Sequence, residues 1–459
     1  MCELHTEGKP EQKEIGYDKT RFAPRTGWIR VMSVQKGARA AFTALLINAL
    51  INLLALPVAA KPATLDPLAH HEHADAAQVP GDTPFVNNAT GDWSGARQRL
   101  REQGVTLNAQ LVLEGFHNFL GGLKTGTEGA LTFDLNLALD TGKAVHWHGG
   151  TLYVDLEDHA GQNPSTVLTG DLQTFDKLNS TPYLQIFELW YQQTLFDGWL
   201  RLKLGKVDAN TEFSVIDNGL PFLNASTQVA PTIIVFPTTP DPMPGANLFF
   251  APANWWYASF GAFYANRSDT FGDFFGHPQN VQLTDFGTFL IGETGIRWHH
   301  APGSAAGGNL KLGAWGHTGT FNRLGGGRQR GTDGYYAVLD QTLWQPSPGQ
   351  GHNRGIRIFF ESGHAQPDVS IIDWNVTGGI TWTGMVAARQ HDILGFSANY
   401  AHLSVQAGLP YTYELALEGL YRFRLLPWMT LLPDLQYILH PGGFYPNAVI
   451  GTLDVTVQF

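Results

Sequence analysis

The chain has 459 residues, of which 52 are Gly, 12% are aromatic and only 15% are charged, against about 25% charged in an ordinary soluble domain. With a mean hydropathy of −0.13, it is too polar for a bundle of membrane helices, each of which needs about 20 apolar residues in a row. A net charge of −11 argues against nucleic acid as a partner, and the single cysteine, Cys2, supplies neither a disulfide framework nor a thiolate metal cluster.

In chain order, Lys36 and Arg39 precede an apolar run from Ala40 to Leu56, and Pro57-Val58-Ala59-Ala60 follows it. That is the three-part pattern of a secretory signal, with small residues ahead of a cut after Ala60. The run carries Asn48 and Asn52, and is short and polar for a membrane span. Residues 1–31 are polar and unpatterned, so Met32 competes with Met1 as the start. Residues 1–60 are thus expected to be leader and signal peptide. Their loss removes eight of 29 basic and five of 40 acidic residues, leaving 21 and 35, a net of −14. Cys2 goes with them, which suits an oxidising compartment. Residues 61–88 read as a disordered linker. Its His70-His71-Glu72-His73 cluster has metal-ligating side chains but nothing to fix their geometry, so neither metal nor cofactor is expected. Residues 89–104 read as a short helical segment, with Asp92 or Ser94 to cap it and Gly104 to end it.

From 105 to 459 the dominant period is two. Leu131, Phe133, Leu135, Leu137 and Leu139 share one face, and Thr132, Asp134, Asn136 and Asp140 share the other. Phe187, Leu189 and Tyr191 alternate with Glu188, Trp190 and Gln192, and Leu200, Leu202 and Leu204 with Arg201 and Lys203. Tyr413, Leu415, Leu417, Tyr421 and Phe423 alternate with Glu414, Glu418, Arg422 and Arg424. In a soluble sandwich the apolar face meets another sheet; in a membrane barrel it meets lipid, and the polar face meets a wet lumen. Aromatic residues near the segment ends favour the barrel, as interfacial girdles do.

The strands are predicted near 104–116, 129–140, 149–158, 185–195, 199–207, 244–250, 254–265, 288–299, 309–318, 334–344, 354–363, 372–383, 392–402, 412–424, 428–440 and 447–459. The expected fold is therefore all-β, a transmembrane antiparallel barrel of sixteen strands. With both ends periplasmic, the short turns at 196–198, 251–254 and 425–427 all fall inside, and the long connections 159–184 and 208–243 fall outside. Gly325-Gly326-Gly327 is expected in a flexible outer loop. The terminal strand, with Leu453, Val455, Val457 and Phe459 on one face, resembles the outer-membrane signal that barrel-assembly machinery reads through a final Phe.

The stretches GDWSGARQRLREQGV (91–105), GDLQTFDKLN (170–179), ELWYQQTLFDGWLRLKLGKVDANTEF (188–213), GAWGHTGTF (313–321), YYAVLDQTLW (335–344) and PWMTLLPDLQYILHPGG (427–443) resemble the carbohydrate-selective, OprB-type, outer-membrane porin family. The resemblance covers nearly all of the chain after the linker. It implies a sixteen-stranded barrel in a Gram-negative outer membrane that passes sugars by diffusion, with a helical segment at the periplasmic mouth. The number of subunits is left open.

No catalytic constellation stands out. Asp155, Glu157 and Asp158 are close carboxylates, as a glycosidase would need, but Asp155 and Glu157 have the two-residue spacing of a lumen face. The 208–243 connection carries an apolar, Pro-rich run, Val229 to Phe236, that would not stay in water. It is expected to fold into the barrel and narrow it; the alternative is an external lid against 159–184. Side chains that hydrogen-bond hydroxyls bidentately would then line the sugar path: Glu188, Arg201, Lys203, Asp208, Glu212, Glu414, Glu418, Arg422, Arg424 and Asp434, with Trp190 as the aromatic ledge. The competing functions are an outer-membrane barrel enzyme such as a lipase and a secreted soluble sugar-binding β protein.

Overall fold

The computed structural model describes residues 88–178, 180–265, 287–298, 307–346 and 354–459. The expected leader and the His-rich linker up to residue 87 lie outside them. Sixteen strands pair with their sequence neighbours, and the first pairs with the last, closing one barrel. They are β1 (Val105–Leu120), β2 (Gly126–Asp140), β3 (Gly150–Gly161), β4 (Tyr183–Leu195), β5 (Leu200–Val207), β6 (Met243–Ala253), β7 (Trp256–Ala265) and β8 (Gly287–Trp298). The second half comprises β9 (Gly308–Asn322), β10 (Arg328–Trp344), β11 (Gly355–Ala365), β12 (Ile372–Thr383), β13 (Ile393–Leu403), β14 (Tyr413–Leu426), β15 (Met429–Leu439) and β16 (Ala448–Gln458). All pairs are antiparallel, and the Phe459 N–H reaches the Ala109 carbonyl at 2.8 Å across the closing seam.

The period-two pattern arises because one face of each strand is turned outward and the other inward. On β14, Leu417 is exposed while Glu414, Ala416, Glu418 and Leu420 are buried. Two features depart from the expected strands. The β1–β2 and β9–β10 hairpins run further than the apolar alternation does. Beyond Phe116 and His317 the outward positions become Gly129, Thr127, Thr318 and Thr320, so the hydrophobic signal fades while backbone pairing continues. In consequence Gly325-Gly326-Gly327 sits in a tight reversal rather than a flexible loop: Arg323 N–H bonds the Gly327 carbonyl at 3.0 Å, and the φ values of +97° and +86° at Gly326 and Gly327 suit only glycine. The second departure is a bulge. The β3–β4 register slips between Asp155 and Leu156, which turns Phe187 inward to full burial, away from the outward face expected for it.

Several inward glycines have a steric role on the lumen wall. The rings of Tyr257, Tyr336 and Phe359 each lie across a glycine directly opposite on the next strand, namely Gly295, Gly313 and Gly379. A Cβ at Gly313 would collide with Cζ of Tyr336. Gly313→Val is therefore expected to displace Tyr336 and destabilise the barrel by about 1–3 kcal/mol, the usual cost of overpacking; the shift in unfolding midpoint of the detergent-solubilised barrel measures it.

At the barrel end where β1 begins and β16 ends, the described chain enters through a turn at Trp93–Gly95 and helix α1 (Ala96–Glu102). The Asp92 carboxylate accepts the Gln98 N–H at 3.1 Å, and Gly104, at φ +89°, ends the helix. Arg97 lies 4.3 Å over the Trp93 ring, and its burial, followed by Arg101, brings its pKa down to about 10. At the opposite end the second and third connections, L2 (162–182, of which residue 179 lies outside the described residues) and L3 (208–242), are longer than those that lie wholly within the described residues elsewhere in the barrel.

Candidate functional site

L3 does not lie over the mouth. Its backbone donates to inward-facing carboxylates on widely separated strands: Asp208 N–H to Glu188 of β4 at 2.8 Å, Ser214 to Glu293 of β8 at 2.9 Å, Asn218 to Asp340 of β10 at 2.8 Å and Leu223 to Glu418 of β14 at 2.6 Å. The Thr232 hydroxyl meets Asn375 of β12 at 3.1 Å. A segment bonded to the inner faces of β4, β8, β10, β12 and β14 can only lie within the barrel. The apolar run Val229 to Phe236 packs there, with Ala230, Ile233, Val235 and Phe236 buried, and rings from the rest of L3 join it. Phe213 meets Phe263 edge-on at 6.5 Å, Phe222 meets Phe359 at 5.5 Å, and Phe236 meets Phe289 at 5.6 Å.

L2 enters as well, which the sequence reading did not anticipate. Leu168 and Phe175 are fully buried against Phe116, Ile438 and Ile450. Glu414 takes the Leu172 and Gln173 N–H groups, each at 2.9 Å. Burial holds the Asp171 and Asp176 carboxyls of L2 above their ordinary values. The loops bond each other, Ala225 N–H to the Thr174 carbonyl at 2.9 Å and Lys177 N–H to the Leu223 carbonyl at 2.7 Å. L3 thus packs against L2 as the alternative expected, but inside the lumen.

This arrangement redistributes the expected path residues. Glu188, Glu414 and Glu418 face the lumen but lie beneath the loops, their oxygens engaged by loop amides. Asp434 is buried beside Gln436, whose Nε2 donates to it at 3.1 Å. Asp208 starts L3 and accepts the Asn210 N–H at 2.8 Å. Trp190, expected as an open ledge, is enclosed: Tyr153 stacks on it at 4.8 Å and Lys203 Nζ lies 4.2 Å from its centroid. Glu212 of L3 ion-pairs with buried Lys203 and with Arg201, whose Nη2 is 2.5 Å away. The Arg201 side chain keeps 22% of its surface exposed.

Among the described strand residues that face inward at the end where β1 begins and β16 ends, most of the partly open charged groups are arginines. Arg201, Arg297, Arg357, and Arg422 with Arg424 lie on every third strand, β5, β8, β11 and β14, all on the inward face and all at the end nearest the termini. Facing them from L3 is Asp217, its side chain half-exposed, held by Lys311 Nζ at 2.9 Å and Asn309 Nδ2 at 3.0 Å. Enclosure in the lumen pushes its carboxyl up, and Lys311, aided by Asn309 and Arg297, more than reverses this, leaving it below the ordinary value. Glu293, Asp340, Asp217, Arg297 and Arg357 were missed from sequence. Their only signal was an isolated charge in the inward phase of a strand or an apolar loop.

The family described as "Carbohydrate-selective porin, OprB family" matches residues 126–459. Porin B of Pseudomonas aeruginosa is 22% identical over 420 residues, 80% of this chain and 90% of that protein. The high-pH structure of Pseudomonas putida OprB superposes with a TM-score of 0.74 at 20% identity, covering 82% of this chain and 99% of the other. The low-pH structure of the same protein gives 0.55 at 19% identity, covering 82% and 100%.

Proposed function

The chain belongs to the carbohydrate-selective porin family, OprB, and from that premise we propose where this outer-membrane channel sits and how sugars cross it. The family is one of channels, so the lipase and soluble-binder alternatives are set aside. Residues 1–60 act as the exported leader and 61–88 as a linker, and the end carrying both termini faces the periplasm. The outward band of the strands meets outer-membrane lipid, and Phe459 is read by the barrel-assembly machinery. L2 and L3 form one constriction, and a solute passes between the edge of L3, at Glu212 and Asp217, and the arginines of the wall.

The observation that carries this reading is the position of L3, anchored to opposing walls of a closed barrel beside partly open Arg201. Guanidinium and carboxylate groups match vicinal hydroxyls by bidentate hydrogen bonds, and exchange them readily because the solute remains partly hydrated. Arg201, Arg297, Arg422, Arg424 and Asp217 form this track, while Glu188, Glu414, Glu418 and Asp434 shape it by holding the loops. Added glucose should reduce the ion current through the protein in a planar bilayer in a saturable way. Current indifferent to sugars on both sides would rule out the proposed track.

A further inference from the structure

Four inward side chains on consecutive strands β5 to β8 form a stack that the proposed track does not account for. Arg201 is the register partner of Phe249 on β6, and its guanidinium carbon lies 4.8 Å from the Phe249 centroid. Phe249 stacks on Tyr257 of β7 at 5.0 Å, with the planes 22° apart. The guanidinium of Arg297, on β8, lies 4.8 Å from the Tyr257 centroid. Strand order places Arg201 and Tyr257 on opposite flanks of Phe249, so the sequence across the wall is cation, ring, ring, cation.

Tyr257 and Arg201 are fixed by further contacts. The Tyr257 ring covers Gly295, where a Cβ would collide with it. Its hydroxyl donates to Glu293 at 2.6 Å, and that carboxylate also holds L3 through Ser214. Arg201 is clamped by Glu212 through both Nη groups, and Nη1 also donates to Gln192, so the Nε–H and the second Nη2 hydrogen are what it can offer a solute. A guanidinium stacked on a ring uses its face, and its in-plane N–H fork remains directed sideways for hydrogen bonding. Donors held in one orientation bind a hydroxyl without first losing side-chain rotamer freedom, which strengthens binding with no new contact.

We propose that Phe249 and Tyr257 are positioning residues for sugar recognition: the ring pair holds the guanidiniums of Arg201 and Arg297 in fixed orientation on one wall, Arg297 offering its fork and Arg201 its remaining N–H groups, and so sets the channel's affinity for the ring hydroxyls of a pyranose. The inference rests on the reading of these arginines as the sugar track. Free arginines would contact sugars too, but more weakly and for shorter times.

The test is glucose-dependent current noise in planar bilayers, which reads binding and dissociation separately. Phe249→Leu keeps apolar volume and every charge but removes the ring. It should weaken glucose block about three- to tenfold, the range of a cation–π contact, mainly through faster dissociation, with open-channel conductance and reversal potential close to wild type. Phe249→Tyr should restore the block. Arg297→Lys, which keeps the charge but lacks the fork, should weaken block without touching Phe249. Wild-type block with an unchanged Phe249→Leu, or a Tyr variant as weak as the Leu variant, overturns the positioning role while leaving the track intact. Absence of block in the wild type overturns both.

Discussion

Replacing residues 208–242 by a short Gly-Ser turn is expected to raise single-channel conductance several-fold and to abolish discrimination among sugars of different size. The barrel should survive, because Val207 and Met243 already face each other in register at the base of L3, so a tight turn can join them. What the deletion removes is the segment that spans the lumen from Glu188 to Glu418. It also exposes carboxylates now engaged by L3 amides, Glu188, Glu293, Asp340 and Glu418. The same deletion removes Glu212 from Arg201 and Lys203, and Asp217 from Lys311, so charges of both signs are uncovered together and ion selectivity should change far less than conductance. Reversal potential in a salt gradient measures that change. A conductance equal to wild type would mean that L3 does not constrict the pore.

Glu418→Ala should produce the second largest effect. Glu418 is 3% exposed and accepts the Leu223 N–H at 2.6 Å and the Ser397 hydroxyl at 3.1 Å. Removing it strands buried donors, each costing about 1–3 kcal/mol. The strands keep their ladders, so the cost falls on L3, whose middle should detach from β14. Faster hydrogen exchange at Leu223 and nearby L3 amides, with open-channel noise above wild type, is the expected outcome. Glu418→Gln retains one carbonyl acceptor and should fall between the two. Exchange at Leu223 unchanged by the Ala substitution would show that packing alone, chiefly Phe222 against Phe359, holds the loop.

The strand plan was legible because lipid on one side and a lumen on the other impose the same two-residue period on every strand. All sixteen strands overlap the segments that period marked, two hairpins running further, and the N-terminal turn and helix lie within 89–104. The alternation blurs where the lumen face is itself apolar. Phe289, Ile291, Trp315, Tyr336 and Phe359 point inward because L3 covers them, and no local pattern distinguishes a lumen filled by loop from one filled by water. The Phe187 bulge was hidden for a related reason: an inward Phe reads as an outward one shifted by a residue.

The site was less legible than the fold. Residue type and strand phase placed Glu188, Glu414 and Glu418 correctly on the lumen face, yet whether a carboxylate meets a solute or a backbone amide depends on contacts far apart in sequence, such as Glu414 with Leu172. The net acidity was misleading in the same way. Many acids on the inner face are spent on L2 and L3, and the groups left partly open towards the termini are mainly arginines. L2 escaped notice because its apolar residues, among them Val167, Leu168, Leu172 and Phe175, are scattered through a polar stretch, with nothing like the run in L3.

Liposome swelling by sugars graded from glycerol through glucose to a trisaccharide, with full-length protein and the L3-replaced variant side by side, tests the central claim that inward loops form a sugar-selective constriction. Full-length protein should admit glucose readily and the trisaccharide slowly, and the variant should admit both at similar rates. Identical size profiles for the two proteins, or full-length protein that excludes glucose, would contradict it.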